Sequence, residues 1–234
     1  MRVTGFEVRN FLNSTYDAIN ILGTSHHIEL LNLRVHDSWN GIIMEADTNN
    51  ITIRDSEVYN VRYGVGFEST THDITVERVT SHHNQVLDSY GNGDGFSGDE
   101  GTYNITIRDS SAYNNLDAGF DVVSDNFLCV NCRAYNNTKF GFRLWRTPTT
   151  HTIINALAYD NGWYPASLSG GTRNVYNSTF VNAPGDNGYS ISVSPGLVLN
   201  ARNNIFANYS LGVFSSTPGT RNEDYNIYYS PTAA

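Results

Sequence analysis

Lysine is nearly missing from this chain: Lys139 is the single copy in 234 residues. Charged residues of both signs make up only 16%, and there are two methionines. Strong helix formers are therefore scarce, which excludes a helical bundle. The only cysteines are Cys129 and Cys132, too few for a disulfide framework. No run approaches the roughly 18 apolar residues of a membrane-crossing helix, so no membrane association is expected. The first 147 residues contain no proline. The opening MRVTGFEVRN has no long apolar stretch, so no signal peptide is expected there. Positive charge is also short. The net charge is −9, which argues against a nucleic-acid partner.

What replaces the missing residues is specific. Asparagine occurs 29 times, with 20 glycines and 15 tyrosines. These are turn formers and strand formers. The segments NNITIRDSEVYN (49–60), YNITIRDSSAYN (103–114) and NFLCVNCRAYN (126–136) are copies of one unit. Anchored on their first apolar residue, the copies start at Ile28, Ile51, Ile74, Ile105 and Phe127. The register continues at His151, Arg173, Leu199 and Asn222. Most spacings lie near 23 residues. Such a unit cannot bury its own face and must stack on the next, as in a solenoid. The expected fold is all-β: one domain over 1–234, a right-handed parallel β-helix of roughly nine to ten coils.

The columns of the repeat support this. Four past the anchor stand Asn32, Asp55, Arg78, Asp109, Asn131, Asn155, Asn177, Asn203 and Asn226. Nine past it stand Asp37, Asn60, His83, Asn114, Asn136, Asp160, Asn182 and Asn208. Both read as polar ladders at turns, with side chains bonded from coil to coil. Eight past the anchor runs an aromatic column, His36, Tyr59, His82, Tyr113, Tyr135 and Tyr159. Cys129 and Cys132 resemble a metal or redox pair, but an extended strand points residues i and i+3 to opposite faces, and Cys132 shares a column with Ser56, Ser110 and Ala156, so a small core residue is expected there.

Departures from the repeat are where function is sought. Ile74 and Ile105 are 31 residues apart, the extra length falling in NQVLDSYGNG (84–93). Long loops on a rigid scaffold commonly carry binding chemistry. A second strand then recurs as Gly95-Phe96-Ser97, Gly119-Phe120-Asp121 and Gly141-Phe142-Arg143. Weaker copies are Gly41-Ile42-Ile43 and Gly188-Tyr189-Ser190. With the aromatic inward, the third residue faces solvent. Adjacent coils lie about 4.8 Å apart, so Asp121 should sit against Arg143. Asp94, Asp117 and Asp121 then share one edge of two coils. Three such carboxylates repel unless a cation neutralises them, and oxygen-only donors suit Ca²⁺. The same patch also reads as a solvated acidic surface partly paired with Arg143 and Lys139.

In order, GNGDGF (91–96), AYNNLDAGFD (112–121), AYNN (134–137), GFRL (141–144) and HTIINALAYDNG (151–162) resemble polysaccharide lyase family 9. The resemblance covers about residues 86–165. It implies Ca²⁺-assisted β-elimination on pectate, with Asp94, Asp117 and Asp121 as metal ligands. Ala118 replaces one further ligand of the family pattern, and Arg143 stands where the family keeps a lysine base. Arg143 is thus a candidate base or a bidentate clamp for a carboxylate. Lys139 is the rival base, and it also reads as a turn residue paired to Asp117.

Trp145, Arg146, His82 and Asp99 are candidates for substrate contact. Asp99 with Glu100 also reads as a hydrolase acid pair, and His82 as a member of the aromatic ladder. Two other classes stay open. SGDEGTYNITIRDS (97–110) has the look of the mannuronan C5-epimerase repeat, although that family's acid-Pro-His-Glu motif is missing. A non-catalytic carbohydrate-binding or adhesin β-helix also fits. The expected partner is an acidic polysaccharide, the expected cofactor Ca²⁺, and the expected state a secreted monomer.

Overall fold

The computed structural model describes residues 1–13, 16–85, 92–147, 149–183 and 188–230. Among them there is no helix, and every strand pairing is parallel. Strands stack as a solenoid of about nine turns. One wall is a nine-stranded sheet and the other is an 18-stranded sheet folded along a bend. Ile74 pairs with Ile105 in spite of the 31-residue spacing, so the extra length leaves the register intact. Residues 86–91 of that loop lie outside the described residues.

One coil shows how the sequence builds the others. Over Tyr103–Arg108, Ile105 and Ile107 point inward and are fully buried. Asp109 then adopts φ 53° and turns the chain into Ser111–Tyr113, where Asn114 (φ 54°) turns it again. Left-handed backbone is costly for most side chains, and Asn and Asp tolerate it best. The two polar columns are therefore the bends of the solenoid. Their side chains bond along the axis, as from Asn131 Nδ2 to Asp109 Oδ1 and from Asn155 Nδ2 to Asn131 Oδ1, both 2.7 Å. A third left-handed column, Asn50, Asp73, Asn104 and Asn126, precedes the anchors and escapes the sequence reading.

The aromatic column is a continuous stack with neighbouring ring centroids 4.6–5.1 Å apart. Inside, Phe96, Phe120 and Phe142 stack at 4.8 and 4.7 Å and are fully buried. A second interior ladder is polar. Asn84, Asn115, Asn137 and Asn161 are almost wholly buried, and Asn115 Nδ2 donates to Asn137 Oδ1 as Asn137 Nδ2 does to Asn161 Oδ1, both at 2.9 Å.

Three expectations are corrected. The last coil is anchored on Arg221, which pairs with Leu199; Asn222 pairs with Asn200. Its left-handed bend is accordingly Tyr225 (φ 54°), not Asn226. Gly188-Tyr189-Ser190 is out of register, because Ile191 pairs with Ala166 in the Phe142 column. Finally, Cys129 and Cys132 do not face opposite sides. Asn131 between them has φ 56°, which breaks the two-residue alternation and brings both sulfurs into the core, where they form a disulfide. No helix of the described residues is long and apolar enough to cross a membrane.

Candidate functional site

The outer face of the nine-stranded sheet gathers the predicted acids. Its central strands are Asp94–Gly98, Ala118–Val122 and Phe140–Leu144, with Ser97 paired to Asp121 and Asp121 to Arg143. Each coil must draw in tightly where it enters this sheet. A Cβ on Gly119 would lie 2.8 Å from Gly141 O and 2.9 Å from Asn137 Nδ2, so only glycine fits.

Asp94 is 1% exposed, and its Oδ1 accepts the Ala118 N–H at 2.9 Å. Asp117 is 3% exposed; its Oδ2 accepts from Lys139 Nζ at 3.0 Å, and its buried Oδ1 has no hydrogen-bond partner among the described residues. Asp121 is held at both oxygens, by Arg143 Nη1 at 3.0 Å and Trp145 Nε1 at 2.6 Å. The Arg143 guanidinium lies over the Trp145 ring at 4.9 Å, and Lys139 Nζ over the Trp163 ring at 5.4 Å.

Three carboxylates thus face two cations. Burial, then the charges of Asp121 and Asp117, push the Asp94 carboxyl well above its ordinary range. Burial also raises Asp121, against the opposing pull of Arg143 and Trp145. Surplus negative charge, the orphaned Asp117 Oδ1 and an all-oxygen donor set fit a hard cation in chemistry. Among the described residues, no three acid, His or Cys side chains converge in a metal-binding group. Lys139 and Arg143 stand against Asp117 and Asp121 instead.

The remaining candidates divide. Trp145 and Arg146 follow Arg143 after the buried Leu144; Arg146 has φ 88° and is ion-paired to Glu100. That pairing takes Glu100 out of the Asp99–Glu100 acid pair considered from the sequence. Asp99 belongs to another group, one coil beyond Glu68, and burial raises its carboxyl. His82 is not brought to the acids. It lies in the 18-stranded sheet with Tyr59 stacked on one side and Tyr113 on the other, so no ring face is left for a sugar. The correction follows from the ladder itself: stacking that builds the column also consumes its faces.

Sequence reasoning missed Tyr63, which pairs with Asp94 and accepts a hydrogen bond from Asn92 Nδ2 at 2.7 Å. It also missed Glu68. Burial, then the charges of Asp99, Glu45 and Asp17, push its carboxyl up to about 7, with Arg62 opposing. Extending the Gly-X-X columns one coil further would have found both. The folded state therefore holds a proton on Glu68 that the unfolded chain has released between about pH 4.5 and 7. Stability falls as pH rises through that window and levels off above it. Glu68→Gln should accordingly stabilise the protein by about 1–2 kcal/mol at pH 8, after discounting for partial exposure, and leave it nearly unchanged at pH 4. Urea melts at the two pH values test this.

Several known proteins are similar. Mannuronan C5-epimerase AlgE1 of Azotobacter vinelandii is 30% identical over 124 residues, 52% of this chain and 8% of that protein. AlgE5 of the same organism is 32% identical over 116 residues, 48% of this chain and 11% of that protein. The matches thus span about a tenth of these relatives. Among solved structures, the A-module of A. vinelandii mannuronan C-5 epimerase AlgE4 aligns with TM-score 0.66 at 15% identity, over 92% of this chain and 74% of that one. Pectate lyase Pel9A aligns with TM-score 0.63 at 16% identity, over all of this chain and 72% of that one. At such identities the structural likeness speaks for the fold alone. The sequence pattern described as the right handed beta helix region matches residues 17–180, and with stacked parallel coils on every side of that stretch the chain belongs to this β-helix family.

Proposed function

We propose that the protein acts on a uronic-acid polymer as a Ca²⁺-dependent lyase, taking the C5 proton and eliminating the 4-O-linked sugar. The observation that carries this reading is the grouping of Asp94, Asp117 and Asp121 with Lys139 and Arg143 on adjacent coils, Asp94 and Asp117 buried and the two cations partly exposed. Asp94, Asp117 and Asp121 would hold the cation, which when bound supplies charge withdrawal from the C6 carboxylate.

The chain's own residues account for the rest. Arg143 is partly exposed and steadied by Asp121, Trp145 and Phe140, so it can meet a sugar carboxylate or C5 without first being ordered. Trp145 offers an aromatic surface beside it, and Arg146 a further positive charge against a polyanion. Lys139, paired to Asp117, is the second group able to carry a proton at C5. A polymeric substrate implies action outside the cell, and a buried disulfide suits an oxidising compartment. A monomer suffices, since every residue of the cluster comes from one chain.

A second reading has its own support. The relatives matched over about half of the chain are mannuronan C5-epimerases, which suggests that the C5 proton is replaced on the opposite face. Incubation with polygalacturonate and with alginate, with Ca²⁺ or with chelator, separates the two. A lyase generates ultraviolet-absorbing unsaturated ends that chelator suppresses. An epimerase inverts C5 by NMR without that absorbance. No change in either polymer would overturn both readings. The metal is tested separately by calorimetry: wild type should bind Ca²⁺ and Asp121→Ala should bind it at least about tenfold more weakly. Equal binding would remove Asp121 from the site.

A further inference from the structure

The interior column that opens each coil is apolar at Ile51, Ile74, Ile105, Phe127 and Leu199. His151 and Arg173 occupy the same column, paired in register between Phe127 and Leu199, and both are fully buried. A buried guanidinium costs several kcal/mol unless hydrogen bonds replace its water. Arg173 finds them in a fan of five backbone oxygens and one hydroxyl. Nη1 donates to Thr149 O and Thr172 O, both at 2.9 Å. Nη2 donates to Ser169 O at 2.7 Å, Arg146 O at 3.0 Å and Thr149 Oγ1 at 3.1 Å, and Nε to Leu144 O at 3.4 Å.

Elsewhere in the solenoid a hydroxyl does this work. Thr71 Oγ1 donates to Glu68 O at 2.8 Å, and Thr102 Oγ1 to Asp99 O at 2.7 Å. In the Arg173 coil the residue before the strand is Gly171, and a Cβ there would stand 3.0 Å from Arg173 Nη1. The turn one coil earlier keeps its hydroxyl, Thr149 Oγ1 donating to Arg146 O at 2.9 Å, and Arg173 Nη2 is a second donor to that carbonyl. The carbonyls of Leu144, Arg146 and Thr149 lie in the turn that leaves the Arg143 strand. That turn carries Trp145, bonded to Asp121, and Arg146 at φ 88°, a backbone that persists only when its surroundings hold it. One coil earlier, His151 Nε2 donates to Ser124 O at 2.7 Å, in the turn that leaves the Asp121 strand.

We propose that Arg173 is a positioning residue, fixing from inside the solenoid where Trp145 and Arg146 stand on the outer face. The consequence for catalysis rests on the polyuronate reading above. The positioning itself does not, and the test keeps them apart. Arg173→Leu restores the apolar residue of the neighbouring coil; Arg173→Lys keeps the charge but not the fan. The ¹⁵N-labelled indole signals of Trp39, Trp145 and Trp163 are compared, with Trp145→Phe identifying the middle one. In Arg173→Leu with an unchanged circular dichroism spectrum, the Trp145 signal should shift or broaden while the other two stay in place. KM for the polymer that wild type turns over should rise about tenfold or more, with kcat held within about threefold, and Arg173→Lys should fall between. An unmoved Trp145 signal in folded Arg173→Leu overturns the proposal. So does failure of both variants to fold, because Arg173 would then hold the whole solenoid rather than one turn. If wild type acts on no uronan, the functional reading falls and the indole signal still decides the positioning.

Discussion

Arg143→Ala is expected to lower activity on polyuronate by about a hundredfold to ten-thousandfold, the range for losing a positioned proton-transfer or charge-stabilising group. The fold should survive it. The side chain is about a third exposed, and partly exposed ion pairs contribute only about 0–1 kcal/mol. Arg143→Lys divides the two roles open to this residue. A base at this position should tolerate lysine, whose proton is more readily lost. A bidentate clamp should not, because an ammonium cannot match both carboxylate oxygens. Lys139→Ala completes the comparison. Full activity in Arg143→Ala with loss in Lys139→Ala would move the proton-transfer role to Lys139.

The largest stability effect is expected one layer inward, at Asn137. Its Oδ1 accepts from Asn115 N at 3.1 Å and Asn115 Nδ2 at 2.9 Å. Its Nδ2 donates to Ala112 O at 3.2 Å and Asn161 Oδ1 at 2.9 Å. Asn137→Leu would take a partner from buried donors and acceptors on the two neighbouring coils. Each orphaned group costs about 1–3 kcal/mol, so a total near 3–5 kcal/mol is expected, within range of unfolding the chain. The neighbouring Asn136 supplies the contrast. It is a surface bend with φ 53°, where glycine is at no steric disadvantage, so Asn136→Gly should change stability by about 0.5 kcal/mol or less. Denaturant melts of the two variants measure the difference. Equal costs would show that the interior ladder adds nothing beyond the bend.

The contrast between these neighbours also shows how far the sequence could be read. Repetition made the fold legible, because most members of the two outer Asn/Asp columns mark a left-handed bend that recurs from coil to coil. The pairing of Asp121 with Arg143 and of Asp117 with Lys139 followed from the same offsets. Polarity alone could not say which asparagines lie inside, since Asn137 and Asn136 differ by one residue and by the whole thickness of the wall. Cys132 lies in the core as expected, but strict alternation set it on the opposite face from Cys129, because it took no account of the bend at Asn131. The last coil slipped by one residue where Tyr225 replaced asparagine and the marker disappeared. His82 looked available as a ring because a sequence does not show that two tyrosines cover it. Arg173 sat in an apolar column as an apparent weakening of the repeat. Its meaning lay in carbonyls 24 to 29 residues earlier in the chain.

The nine-stranded sheet carries its acids and cations on its three central strands, with three further strands on either side. In an array whose units touch only their neighbours, opening begins at the ends and spreads inward one unit at a time. Amide protons should therefore exchange fastest around Arg2–Arg9 and Thr220–Tyr229 and slowest near Phe96, Phe120 and Phe142. Asp121 and Arg143 then keep their spacing while the terminal coils fray. A chemistry that tolerates little misplacement is set where the thermal loosening of a linear stack arrives last.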